Sequence, residues 1–358
     1  MKKATGGTRG PLMVVLRKKA KVVFLVAWCS LHMLCPDNAG ANAAAAMTVI
    51  DRSGATVVLP ACRERILVTC YGGASHEIAM LGGAARIVGH PSMDRFPLLL
   101  KMYPVLAGKP DAGSFDNVNI EFAMSLKPDL VVASVVSMKA NGRLQQMGIP
   151  LVTVGTGWTN VERLLREFTM MGDVLGAQDR AGELVAYWRG WLDLIRQRTA
   201  HLPRDRRKTV YYCSAGSPLK TEGSVGWGES FINAAGGRNV STAMKKSGIV
   251  TAEQLMVWDP DVIVTGIKKI GSPGDRMADI RKLSSLTAVR NHDIHYCPIG
   301  GFWWDRPSPE AVLGIVWLSR ILYPDLFVDV DLRLETKNFY RKFYQYNLTD
   351  AEYASFEK

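Results

Sequence analysis

The chain has 358 residues, 47% hydrophobic and 22% charged, with a formal net charge of +11. That is a globular composition, long enough for two domains and free of low-complexity tracts. The charge is unevenly placed: residues 1–46 hold seven of the 44 Lys and Arg and one of the 33 Asp and Glu, leaving 37 basic against 32 acidic residues. So mild a balance does not call for nucleic acid as a partner, and it suits an anionic small ligand.

Residues 1–46 read as an export signal. Lys2, Lys3, Arg9, Arg17, Lys18, Lys19 and Lys21 come first, an apolar run follows at 22–34, and Ala39-Gly40-Ala41-Asn42-Ala43-Ala44-Ala45-Ala46 closes the segment. This order of basic, apolar and small residues is that of a secretory signal, with cleavage expected near 43–46. The apolar run, about 13 residues, is too short to cross roughly 30 Å of hydrocarbon. Cys29 follows Trp28 and Cys35 follows Leu34, which does not suit a lipid anchor. No apolar stretch of 18 residues comes later, so a soluble periplasmic protein is expected. Cys62, Cys70, Cys213 and Cys297 remain after cleavage, and their spacing fits no zinc pattern. Export permits disulfides among them, and buried thiols are equally compatible.

From residue 66 onward, short apolar runs alternate with helical patterns. Strands are expected at 66–70, 86–89, 130–133 and 150–154, with helices at 76–81, 120–126 and ending at 144–147. Helical spacing then runs from 161 to 199, and its second part carries Leu184, Val185, Trp188, Trp191, Leu192, Leu194 and Ile195. A second series follows: strands at 210–213, 262–265 and 294–297, a helix at 229–235, and terminal helices at 309–322, 334–344 and 350–356. The expected fold is α/β, with two Rossmann-like lobes joined by a single long helix and a ligand cleft between them. The boundaries fall at 47–175 for the first lobe, 176–203 for the connecting helix and 204–358 for the second lobe.

An internal repeat supports two lobes. Ile120-Glu121-Phe122-Ala123-Met124-Ser125-Leu126-Lys127-Pro128-Asp129-Leu130-Val131-Val132 aligns with Ala252-Glu253-Gln254-Leu255-Met256-Val257-Trp258-Asp259-Pro260-Asp261-Val262-Ile263-Val264. Each copy reads as a short helix, a Pro-Asp turn and an apolar strand.

The chemistry of an enzyme is not legible. There is no G-x-S-x-G elbow, no phosphate-cradling G-x-x-x-x-G-K-[ST] and no H-E-x-x-H. His292 and His295, three apart beside a strand, point to opposite faces. Ligands of two-lobed α/β proteins sit beyond the carboxyl ends of the strands. Those positions hold Tyr71, His76, Phe115, Trp158, Lys220, Trp227, Trp303, Trp304 and Arg306. The aromatics offer flat walls for a bulky ligand, and Lys220 and Arg306 suit its anionic groups. Tyr71, His76 and His90 are the candidates for direct metal ligation, a Tyr oxygen suiting ferric or haem iron.

These residues resemble a known family. Thr56-Val57-Val58-Leu59-Pro60 with Arg65-Ile66, Leu81-Gly82-Gly83 with Arg86-Ile87-Val88-Gly89, Leu126-Lys127-Pro128-Asp129-Leu130-Val131, Gly148-Ile149-Pro150-Leu151-Val152, Ala235-Gly236-Gly237-Arg238-Asn239-Val240 and Ser308-Pro309-Glu310-Ala311 stand in its order and spacing. The chain looks like the periplasmic substrate-binding proteins of ABC importers for ferric siderophores, haem and cobalamin. The resemblance implies a monomeric receptor with no cofactor and little hinge motion, which docks on a membrane permease and its ATPase. One glutamate per lobe, here Glu121 and Glu253, would meet permease arginines. The segment 303–306 with Phe115 resembles cobalamin binders, but Met93 and Ser134 stand where two further aromatics would be. The ending Phe339-Tyr340-Arg341-Lys342-Phe343-Tyr344 with Leu348-Thr349-Asp350 is similar to ferric-chelate members. An iron(III)-siderophore or similar metal chelate is the expected ligand, with cobalamin or haem as the alternative and an exported enzyme on the same fold as the alternative from another class.

Overall fold

Short runs of Val, Ile and Leu bounded by turn residues make the strands in the computed structural model, which describes residues 47–71, 73–157, 159–214, 217–266 and 278–356. The export signal expected at 1–46 and Trp158 lie outside the described residues. β1 (Thr48–Ile50) and β2 (Thr56–Val58) form an antiparallel hairpin. β3 (Ile66–Val68), β4 (Ile87–Gly89), β5 (Leu130–Ser134) and β6 (Leu151–Val154) build a parallel sheet in the order β4-β3-β5-β6. In the second half, β8 (Lys220–Thr221) and β10 (Gly248–Ile249) pair antiparallel. β7 (Thr209–Cys213), β9 (Arg238–Asn239), β11 (Val262–Thr265) and β12 (Ile294–Tyr296) form a second parallel sheet in the order β12-β11-β7-β9. Counted by chain order within each sheet, both run 2-1-3-4, so the two halves share one topology. β3, β5, β6 and β11 are buried at every position. Helices cover both faces of such sheets, which is why these strands read as continuous apolar runs.

The 132-residue repeat is a repeat of backbone geometry. Helix Ile120–Ser125 is capped by the Asn119 side chain, which accepts from the Phe122 amide at 3.0 Å. Helix Ala252–Trp258 is capped by Thr251 in the same way, from the Gln254 amide at 3.1 Å. Each helix unwinds through a left-handed residue before the proline, Lys127 at φ 47° and Asp259 at φ 37°. The aspartate after each proline then clamps the first strand of its own sheet. Asp129 accepts from the Glu64 and Arg65 amides at 2.8 and 3.0 Å. Asp261 accepts from the Thr209 amide and hydroxyl, both at 2.7 Å.

Between the sheets the chain passes through two helices, Val161–Leu175 and Gln178–Thr199. Gly176 ends the first in the left-handed conformation (φ 66°), where a side chain would be strained. The continuous helical stretch expected from 161 to 199 is therefore two helices packed on each other. The longer has 22 residues, roughly 33 Å at 1.5 Å per residue, and stays inside the 176–203 span. The first helix serves both cores. Leu164, Leu165 and Phe168 join the core of the second half, while Met170, Met171, Val174 and Leu175 join that of the first. Trp188 Nε1 donates to the Pro309 carbonyl at 3.1 Å, and Arg180 to the Phe343 carbonyl at 2.6 Å. The C-terminal helix expected at 334–344 divides into Leu332–Phe339 and a wider π turn, Tyr340–Tyr344. Cys70, Cys213 and Cys297 are buried thiols. Among the described residues, no helix is long and apolar enough to cross a membrane.

Candidate ligand cleft

Loops beyond the carboxyl ends of both sheets converge on a cavity of about 360 Å³. This is where open parallel sheets with this strand order bind ligands. The first half brings Tyr71 after β3, Phe115, and Thr156 with Gly157 after β6. The second brings Ser214 after β7, Lys220 on β8, Glu222, and then Phe302, Trp303 and Arg306 after β12. Of the residues expected from sequence, the cleft thus unites Tyr71, Phe115, Lys220, Trp303 and Arg306.

One wall is aromatic. Trp303 stands edge-on to Phe96 at 4.8 Å and to Phe302 at 5.4 Å. Tyr71 is half-buried and its hydroxyl donates to the Ser92 carbonyl at 2.7 Å. Phe115 holds a left-handed backbone (φ 55°) with its amide on the Thr69 carbonyl at 2.9 Å. An aromatic residue pays for that conformation, and such strain gathers at ligand sites.

The other wall is charged. Arg306 Nη1 lies 2.9 Å from Asp305 Oδ2 and bonds the Tyr212 hydroxyl, with the guanidinium 5.9 Å from the Tyr212 ring centre. Burial alone would lower the guanidinium, but Asp305, Tyr212 and Glu222 outweigh it and push it up, so Arg306 stays charged. Tyr212 donates to Asp305 Oδ2 at 2.9 Å. Burial holds the Glu222 carboxyl above its usual range, against the opposing pull of the Gly228 amide at 3.0 Å and of Arg306. The cleft therefore offers a braced cation at a rim of flat apolar rings.

Four expectations are corrected. His76 is fully buried away from the cleft, stacked 5.5 Å from Phe302 and 5.4 Å from Tyr344. Burial lowers its pKa to about 3, so it is neutral and bonds Tyr344 rather than a ligand. His90 is also buried, with Nδ1 on the Pro91 carbonyl at 2.7 Å and Nε2 on the Leu106 carbonyl at 3.1 Å. Neither nitrogen is left for a metal. Trp227 is core, packed on Phe231 with its amide on the Gly157 carbonyl at 3.1 Å. Trp304 is core too, its indole donating to Glu310 at 2.8 Å. Among the described residues, no three His, Cys, Asp or Glu side chains gather as a metal-ligand group. Sequence reasoning did not single out Phe302, Glu222, Tyr212 or Ser247. The Gly300-Gly301 pair before Phe302 was the available signal for the first. Ser247, carried in by the β8-β10 pair, left none. Glu121 and Glu253 stand exposed in the first turns of their two helices.

The architecture, with a related sequence, occurs in known proteins. The periplasmic solute binding protein from Veillonella parvula superposes with a TM-score of 0.71 at 27% identity, covering 87% of this chain and 96% of that one. The molybdate-binding protein MolA of Haemophilus influenzae is 26% identical over 274 residues, 69% of this chain and 75% of its own length. An uncharacterized ABC transporter substrate-binding lipoprotein of Bacillus subtilis, YvrC, is 26% identical over 289 residues, 78% of this chain and 87% of its own. The family model for periplasmic binding proteins matches residues 68–299, well over half of the chain, and the chain belongs to that family.

Proposed function

We propose that this chain is the substrate-binding component of an ABC importer, capturing an iron(III)-siderophore or similar metal chelate in the periplasm and delivering it to a membrane permease and its ATPase. The observation that carries this reading is the cleft itself, with rings of Tyr71, Phe115, Phe302 and Trp303 on one side and Arg306 and Lys220 on the other. Flat rings suit a bulky organic ligand. A guanidinium fork suits the carboxylate or catecholate oxygens such a ligand carries. Similarity to binding proteins supports a receptor rather than an enzyme. Glu121 and Glu253, exposed and one per sheet, are the residues we assign to the permease contact.

A small oxyanion is the second reading, favoured by the likeness to a molybdate-binding protein. It would use the Arg306 cation and leave the aromatic wall idle. Tryptophan quenching separates the two, with ferric catecholate, ferric hydroxamate, haem, cobalamin and molybdate titrated into the mature protein. The chelate reading expects saturable quenching by a ferric chelate at micromolar levels, weakened in Arg306→Ala. Quenching by molybdate alone, or by none of the five, overturns it.

A further inference from the structure

His76, drawn into the candidate site by sequence and expelled from the cleft by the structure, belongs to a buried polar cluster directly behind the cleft wall. Its centre is Glu310, fully buried. Trp304 Nε1 donates to Glu310 Oε2 at 2.8 Å and the Tyr340 hydroxyl donates to Oε1 at 3.1 Å. The Tyr344 hydroxyl also donates to Oε1, and His76 Nε2 meets that hydroxyl while lying 3.5 Å from the carboxyl oxygen. Three remote stretches of chain thus meet on one carboxyl: the helix Ala74–Ile78 of the first half, the segment 300–310, and the π turn Tyr340–Tyr344.

The cluster grips the turn at 299–303. Ile299 and Trp303 bridge across it, and the Gly300 amide donates to the Phe302 carbonyl at 3.0 Å. The Gly301 amide donates to the Tyr340 hydroxyl at 2.7 Å. At Gly300 a Cβ would collide with the Glu310 carboxyl and the Tyr340 hydroxyl, and at Gly301 it would come within 2.7 Å of Glu310 Oε1. The backbone therefore lies directly on the cluster, which explains the glycine pair. The next two residues, Phe302 and Trp303, are the aromatic wall of the cleft.

We propose that Glu310 is the positioning residue of the ligand cleft: by bonding Trp304, Tyr340 and Tyr344, and reaching His76 through Tyr344, it fixes the 299–303 turn and so the placement of Phe302 and Trp303. The assignment rests on the reading of this cleft as the ligand site. A satisfied buried network specifies one arrangement, and a partly satisfied one releases it. Glu310 itself touches no ligand. It sets the wall on which the ligand rests, and His76 extends its hold to the first half of the molecule.

The test uses the mature full-length protein as wild type, Glu310→Gln, Tyr344→Phe and Leu144→Ala. The last removes a buried side chain of a different core and serves as a destabilised control. Trp303 emission is isolated by subtracting the Trp303→Phe counterpart of each protein. In Glu310→Gln and Tyr344→Phe the Trp303 emission shifts and acrylamide quenches it more readily, while Leu144→Ala keeps the wild-type signal. The affinity for a ferric catecholate or hydroxamate falls about tenfold in Glu310→Gln, the size of about one lost buried hydrogen bond. An unchanged Trp303 signal in both network variants, or an equal change in the control, overturns the assignment. If neither ferric chelate binds the wild type, the chelate reading falls, and the Trp303 comparison still decides the role of Glu310.

Discussion

The two copies of the helix, Pro-Asp and strand unit agree down to one unusual dihedral, with Lys127 and Asp259 at φ 47° and 37°. The loops at the opposite ends of the same two sheets agree in almost nothing. The first half gives the cleft Tyr71, Phe115, Thr156 and Gly157, and the second gives it Lys220, Glu222, Trp303 and Arg306. The difference separates two kinds of work. One end of each sheet must begin a strand and present an exposed glutamate, a task that is the same twice. In the proposed reading the other end encloses one ligand between the halves, and each half supplies a different chemistry: mostly rings and small residues from one, charge and the Trp303 wall from the other.

The largest effect expected from breaking the comparison is on transport. If the matched ends are a docking surface, Glu121→Ala together with Glu253→Ala abolishes uptake of the ferric chelate in cells and leaves its binding constant at the wild-type value. Quenching titrations and uptake of labelled chelate check both halves of that statement, and surviving uptake removes the docking role. Each single variant should cost part of the uptake, since each sheet contributes one contact.

The next effect concerns the buried acids. Burial pushes Glu310 up to about 8, against the pull of Trp304 and Tyr340. Burial likewise pushes Glu167 up to about 8, opposed by the Gly155 amide at 2.6 Å and by Arg52. Glu77, buried beside Glu167, is raised as well. The folded chain keeps protons that the unfolded chain sheds near 4.5. Stability therefore falls as pH rises from about 4.5 through about 8. Denaturant midpoints between pH 5 and 8 should show the decline, and Glu310→Gln should flatten it. A midpoint that rises across this range contradicts the buried, proton-bearing carboxyls.

What the sequence made legible follows the same division. The repeat was readable because its parts keep one local spacing in both copies: a capped short helix, the proline that stops it, an aspartate and then an apolar strand. The α/β alternation was readable because strands buried on both faces are continuously apolar. The fates of His76, Trp227 and Trp304 were not readable. Each is decided by a partner far along the chain, Tyr344 for His76, Gly157 for Trp227 and Phe356 for Trp304. All three follow a strand by several residues, in segments where the rule for ligand sites applies equally to core and cleft. Neighbouring Trp303 and Trp304 divide between the two because the turn sets Trp303 against Phe96 and Phe302 while Trp304 reaches the buried Glu310. The break at Gly176 was hidden because Gly176 interrupts an apolar spacing that resumes almost in phase.

The smallest effect expected sharpens the structural half of the comparison. Asp129 and Asp261 do the same work by different means: two backbone amides for Asp129, one amide and one hydroxyl for Asp261, with Lys208 Nζ a further 3.7 Å from its other oxygen. Alanine at either position leaves strand-start donors without their acceptor, at a cost of about 1–2 kcal/mol each. The two lie in separate sheets with no shared partner, so the double variant should lose the sum of the single losses to within about 0.5 kcal/mol. Urea unfolding of the three variants measures this. Clear non-additivity would mean that the two strand starts are coupled through the helices between the sheets, and that the repeated unit holds the halves together as well as starting each one.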